Sequence, residues 1–364
     1  MRSRPVRAAV LLLAAFLTLA VGMGILELIF GLWVRHNPWD RALALNIVVN
    51  RTIAYDASNL YQGGGTVTYT RDRYGLRGSY GGDPKDITIL TVGGSTTDQR
   101  YISDGLTWQD ELEWRLRAAG QDVRVANAGI DGHSAFAHLA SYEYWFPLIP
   151  NLRPKYTLLY IGINDFLLDG PSPTFEGTLG SPTLKSRIKA NSAFYRLYSM
   201  IRGSILARRV RLTHAGIDFS KVPYTDTPLL SDHKVVGTNR LRAFEGRFRE
   251  LLRRTREGGS IPVCVPPPTA HYRRTEGGTV LGIAQPIRFS GVPGGFINGV
   301  DYFYLRRARI AAMRALCDAA GSPTIDLASQ DWDTADFYDE VHMTPAGAKK
   351  VGQRIASSMK AFPF

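Results

Sequence analysis

Ile87-Thr-Ile-Leu-Thr-Val-Gly-Gly-Ser-Thr-Thr97 decides how this chain is read. A β-prone run enters two glycines and a cluster of hydroxyls, the pattern of a buried strand that ends in a tight turn. Similar runs return at Val123–Ala126, Thr157–Ile161, Ile261–Val265 and Thr324–Leu327. Helical stretches separate them. Trp108 to Ala119 carries Trp108, Leu112 and Leu116 on one face and stops at Gly120. Tyr304 to Ala320 stops at Gly321, and Thr344-Pro345 opens a last helix with a cap and a proline at its first position. Apolar strands alternating with helices predict a five-stranded parallel sheet covered on both faces, a three-layer α/β/α domain.

Upstream of that domain the pattern is different. Ala8 to Val34 is apolar apart from Glu27 and follows Arg2, Arg4 and Arg7. Its length suits a transmembrane anchor better than a cleaved leader, whose apolar core is far shorter. The arginines favour a cytoplasmic N-terminus. The expected layout is residues 1–7 in the cytoplasm, 8–34 as anchor, 35–85 as a stem, and 86–364 as the folded domain outside the cytoplasm. Within that domain, residues 170–240, rich in Pro, Gly and Arg, and residues 266–300, opening with Pro266-Pro267-Pro268, read as insertions. An amphipathic stretch over Ala193–Arg211 suits either a solvated helix or an anionic membrane surface. The formal net charge of +12 comes from scattered arginines, densest at 202–211 and 247–256. No nucleic-acid-binding pattern accompanies it, so no nucleic-acid partner is expected. Two cysteines, Cys264 and Cys317, are too few for a disulfide scaffold or a metal site. They suit a bridge in an oxidising compartment or two buried thiols.

Chemistry-bearing residues collect at the strand ends, where open α/β sheets bind ligands. Ser95 follows Gly93-Gly94. It lacks the lysine of a phosphate-binding loop and the flanking pattern of a nucleophile elbow. Asn127-Ala-Gly-Ile-Asp-Gly132 follows the second strand and Gly162-Ile-Asn-Asp165 the third. Asp339-Glu-Val-His342 precedes the last helix. An Asp three residues before a His can bond one ring nitrogen and leave the other to take a serine proton. His133, His138 and His271 are further histidines near these loops.

In order, Gly93-Gly94-Ser95, Asn127-x-Gly129-x-x-Gly132, Gly162-x-Asn164-Asp165 and Asp339-x-x-His342 resemble the four blocks of the SGNH/GDSL hydrolase superfamily. The resemblance covers roughly residues 86–364 apart from the insertions. It implies a flavodoxin-like fold, Ser95 as nucleophile, His342 as general base and then acid, and Asp339 as its orienting carboxylate. It further implies an oxyanion hole from the Ser95 and Gly132 backbone N–H groups and the Asn164 side chain. No metal or other cofactor is expected. Gly94 departs from the family's usual Asp. Tyr74-Gly-Leu-Arg-Gly78 resembles a stretch preceding the first block in membrane-anchored members that act on glycans. The expected activity is hydrolysis of an O-acyl, foremost O-acetyl, ester on an extracytoplasmic carbohydrate. The same triad serves an O-acetyltransferase with a glycan hydroxyl as acceptor, and the same scaffold serves a non-catalytic glycan-binding or assembly subunit.

Overall fold

A computed structural model describes residues 4–33, 37–167, 184–209, 214–233, 238–289 and 291–364. They divide into two units: Met1–Ala44 with Pro173–Thr213, and Leu45–Ser172 with His214–Phe364. The expected anchor–stem junction at 34–36 and parts of the first insertion, 168–183, 210–213 and 234–237, lie outside the described residues.

In the first unit, Arg4–Phe30 (α1) is helical. Within Arg7–Phe30 an 18-residue window reaches a mean hydropathy of 2.6, and the stretch is long enough to cross a membrane, a test a signal sequence passes equally. Glu27, the one acid of that apolar run, has protein partners. Its carboxylate accepts hydrogen bonds from Trp33 Nε1 at 2.7 Å and from the backbone N–H groups of Ala193 at 3.0 Å and Phe194 at 3.3 Å. Those two residues open the helix Ala193–Arg209, which covers most of the stretch 193–211 expected to be amphipathic; residues 210 and 211 lie outside the described residues. A carboxylate from a distant helix thus caps N–H groups that no turn of their own helix can satisfy.

The second unit begins earlier than expected. Arg51–Asp56 (β1) and Thr66–Arg71 (β2) pair antiparallel, so residues 45–85 belong to the folded unit and are not a stem. The buried strand Ile89–Gly93 (β3) leads to a single helical turn, Ser95–Asp98 (α2), and then to Trp108–Ala118 (α3). Thr107 and Asp110 form the capping box of α3, and Gly120 follows it with φ 86°. Val125–Asn127 (β4), Ala135–Tyr144 (α4) and Tyr156–Tyr160 (β5) come next. After Tyr224–Thr225 (β6), Thr238–Glu257 (α5) precedes Ile261–Cys264 (β7). Tyr272–Arg274 (β8) and Val280–Ile283 (β9) pair with each other, and β6 pairs with β9. The stretch 266–300, expected as loop, therefore joins the first insertion in a small antiparallel sheet. The chain closes with Gly299–Ala319 (α6), which starts five residues before the expected helix, and Pro345–Met359 (α7). Asn298 and Asp301 form the capping box that begins α6 early.

The central sheet is parallel with the order β4-β3-β5-β7. The second strand lies at the edge and the first lies inside it, as in flavodoxin-like sheets. It has four strands, where five were expected. Thr324–Leu327 contributes one parallel bridge, Thr324 to Cys264, before the chain turns away with Leu327 N–H bonded to Ile325 O at 3.1 Å. Ile89, Val125, Leu158 and Val263 face a core shared with Trp108, Leu112, Val351 and Ile355 from α3 and α7. Helices α4, α5 and α6 pack together as a second helical layer.

Cys264 and Cys317 form a disulfide between β7 and α6. A bridge across 53 residues restricts the unfolded chain by about 4 kcal/mol in the chain-entropy account. The double variant Cys264→Ala/Cys317→Ala is expected to lose about 2–5 kcal/mol of stability, read from the midpoint of a urea transition. An unchanged midpoint would leave the bridge without a stabilising role.

Candidate active site

Ser95 is the first residue of α2, directly beyond the C-terminal end of β3. The N–H of a first helical residue has no acceptor within its own helix, so it stays available at the turn. At the other end of the chain, the loop before α7 is folded back on itself. Phe337 pairs with Met343, and Tyr338 N–H bonds His342 O at 2.9 Å. Within that clasp Asp339 Oδ1 accepts the backbone N–H groups of Val341 at 2.9 Å and His342 at 2.7 Å. Asp339 Oδ2 lies 2.7 Å from His342 Nδ1, and His342 Nε2 lies 2.7 Å from Ser95 Oγ. A carboxylate on Nδ1 keeps the proton there and leaves the Nε2 lone pair facing the serine hydroxyl. Burial alone would raise the Asp339 pKa. The His342 ring and the hydrogen bonds it receives outweigh that and hold it below the usual carboxylate range. Asp339 is therefore ionised at neutral pH.

The other two blocks converge on the same turn. Asn127 Nδ2 donates to Thr97 O at 2.7 Å and Asn127 Oδ1 accepts Gly129 N–H at 2.8 Å, tying the second block to α2. A Cβ on Gly129 would stand 2.4 Å from Asp98 N, so only glycine lets the two backbones meet here. Gly132 adopts φ 78° in the turn that follows. Asn164 Nδ2 donates to His133 O at 2.8 Å, which joins the third block to the second and leaves the amide a further N–H. Asp165 Oδ2 accepts the N–H of Ala135, the first residue of α4, at 3.0 Å. Gly94 has a spatial reason for departing from the family's Asp. A Cβ at 94 would sit 2.8 Å from Asn164 Nδ2 and 3.1 Å from His133 O.

The scaffold behind the turn includes residues that sequence reading missed. Arg71 is fully buried, and its Nη2 meets Asp98 Oδ1 at 2.5 Å. It also donates to the carbonyls of Gly129, of Asn127 at 3.1 Å and of Gly75 at 2.9 Å. Tyr69 Oη donates to Asp98 Oδ1 at 2.8 Å. Arg77, from the motif expected to point to glycans, donates to Asp98 O and Gln99 O, each at 2.9 Å, and is buried. That motif braces the nucleophile turn from behind. His133 and His138 are buried with their rings 5.6 Å apart, and His133 Nε2 pairs with Leu45 O at 2.7 Å. Burial lowers the His133 pKa to about 4, so it is neutral in the core. His271 is also buried, stacked on Tyr302 at 3.9 Å. A histidine not anticipated, His214, lies beside His342 with ring centroids 4.3 Å apart. His214, Asp339 and His342 offer ligand atoms within 4.8 Å of one another. Both His342 nitrogens are already engaged by Asp339 and Ser95, and a cation on Nε2 would take the lone pair that the serine proton needs.

A model of the GDSL-like lipase/acylhydrolase family matches residues 91–350. Among solved structures, an acetyl xylan esterase, AlAXEase, is 14% identical, with 75% of this chain and 99% of that one covered and a TM-score of 0.41. The acetylxylan esterase Axe2 from Geobacillus stearothermophilus is 13% identical, with 76% and 94% covered and a TM-score of 0.41. LAE5, an α/β hydrolase from the metagenome of Lake Arreo in Spain, is 13% identical, with 76% and 96% covered and a TM-score of 0.40. No curated protein matches the sequence.

Two outcomes are expected from the scaffold. Gly94→Ala must displace the end of the Asn164 side chain and crowds the His133 backbone carbonyl at 3.1 Å, so the melting temperature should fall only slightly. Displacing that amide should lower kcat roughly ten- to a hundredfold, part of what loss of an oxyanion donor costs. Arg71→Met removes the closer cation from buried Asp98, leaving it Arg100 at 3.8 Å, and strips the donor from the carbonyls of Asn127 and Gly129; it should destabilise the fold by roughly 3 kcal/mol, measured by chemical denaturation.

Proposed function

The chain belongs to the GDSL-like lipase/acylhydrolase family, an ester-hydrolysing serine hydrolase by that membership, and we propose that Ser95, His342 and Asp339 carry its chemistry. The observation behind this reading is the unbroken relay from Asp339 Oδ2 through His342 to Ser95 Oγ, with both hydrogen bonds at 2.7 Å. As Ser95 Oγ attacks an ester carbonyl, its proton passes to His342 Nε2 and the imidazolium is balanced by Asp339. The tetrahedral oxyanion is held by the N–H groups of Ser95 and Gly132 and by the amide of Asn164. His342 then returns the proton to the leaving alcohol. Water repeats the sequence on the acyl-enzyme and releases the acid.

The substrate proposed is an O-acyl, foremost O-acetyl, group on a carbohydrate outside the cytoplasm. Partly buried Tyr55, Tyr61 and Tyr101 cluster with Tyr338, whose ring lies beside that of His342, and offer ring faces suited to a sugar. The location is proposed on two features. α1 suits a membrane anchor, and the Cys264–Cys317 bridge fits an oxidising compartment.

Ser95→Ala is expected to lower hydrolysis of 4-nitrophenyl acetate by about 10⁴-fold or more while the fold stays intact. Unchanged hydrolysis would remove Ser95 from its role. Following acetate release against acetyl transfer in the presence of a glycan acceptor separates hydrolase from transferase.

A further inference from the structure

His214 takes no part in the relay described above, yet it is built into its side. Its ring centroid lies 4.3 Å from that of His342 at an interplanar angle of 56°. Tyr338 lies nearly parallel to His342, with centroids 5.5 Å apart. The imidazole that must face Ser95 is therefore held against two rings. His214 is itself fixed by several neighbours. Its Nδ1 is 2.9 Å from Tyr338 Oη, its Nε2 is 3.9 Å from Asp131 Oδ2, and its ring meets that of Tyr101 at 4.9 Å. Asp131 is in turn paired with Arg100 at 3.2 Å.

Burial pushes the Tyr338 hydroxyl pKa well up, so its O–H stays on and donates to His214 Nδ1. Burial alone would raise Asp131, but the nearby His214 ring and the charge of Arg100 hold it below the usual carboxylate range. An ionised Asp131 favours the proton of His214 on Nε2. Nδ1 is then hydrogen-bonded, Nε2 faces the Asp131 carboxylate at 3.9 Å, and the side chain is only 14% exposed, which suits a support better than a substrate contact.

We propose that His214 is a positioning residue for the catalytic relay, holding the His342 imidazole at the angle at which Nε2 meets Ser95 Oγ, with Asp131, Arg100 and Tyr338 holding His214 in place. The inference rests on the triad reading. Its mechanism is geometric: a mobile imidazole spends less time in hydrogen-bond reach of the serine, and a misplacement near 1 Å can cost about a hundredfold in rate. Covering the Asp339–His342 bond also excludes water, which strengthens that bond.

The test uses the full-length protein in detergent, with His214→Ala, His214→Phe and His214→Gln. For each variant, kcat and KM on 4-nitrophenyl acetate, the rate of Ser95 labelling by a fluorophosphonate, and the melting temperature are measured. His214→Ala should lower both kcat and the labelling rate by about ten- to a hundredfold with KM within about twofold. His214→Phe, which keeps a ring against His342, should recover part of that loss, and His214→Gln, which keeps polarity without the ring, should recover less. A rise in KM with unchanged labelling would make His214 a substrate contact and overturn the proposal, as would kcat and labelling indifferent to all three changes. If the alanine variant does not fold, Phe and Gln decide alone: Phe faster than Gln supports the proposal, and equal rates overturn it. Ser95→Ala measured alongside tells the two readings apart, since activity surviving in it would fault the nucleophile and not His214.

Discussion

The turn that carries Ser95 depends on a charge pair that water does not reach. Arg71 and Asp98 are both essentially unexposed, so each must be satisfied by protein. Removing two ions from water costs several kcal/mol apiece, repaid only by close geometry and full hydrogen bonding. Asp98 ends the helical turn that Ser95 begins. Arg71 ends β2, and its guanidinium also reaches Gly129 and Asn127 of the second block. One side chain therefore fixes the serine turn relative to the glycine-rich loop beside it. Arg77 repeats the device on the carbonyls of Asp98 and Gln99. Such an arrangement adds little net stability compared with an apolar filling, but it permits one arrangement of the backbone and resists others.

The hairpin that supplies Arg71 lies upstream of the family match, which begins at residue 91. The part of the chain that carries the family pattern and the part that shapes its Ser95 turn are thus different. Leu45 O, bonded to buried His133, extends the same dependence further upstream.

How much of this could be read from the sequence followed from how local each signal was. The central strands announced themselves as short apolar runs ending in turn-forming residues, and their ends fall within about two residues of expectation because both faces of the sheet are buried. The hairpin did not. In β1 the inward positions are only partly buried, so no apolar alternation marks it. Its hold on the domain comes from tyrosines and arginine, residues that a pattern search assigns to the surface. Asp339 and His342 were legible because their pairing is made within three residues. Asp131 and His214 were not, since nothing between them in the sequence indicates that they meet. Gly94 could be recognised as a departure, but its reason, the nearness of the Asn164 amide, exists only after β3 and β5 are side by side.

Glu27 changes what maturation of this chain would entail. Proteolytic excision of α1 would do more than shorten the chain. It would orphan the two N–H groups at the head of Ala193–Arg209, which have that carboxylate as their acceptor. The helix would have to fray or recruit water in its place. A segment whose removal breaks another element's cap is an internal strut of its own unit.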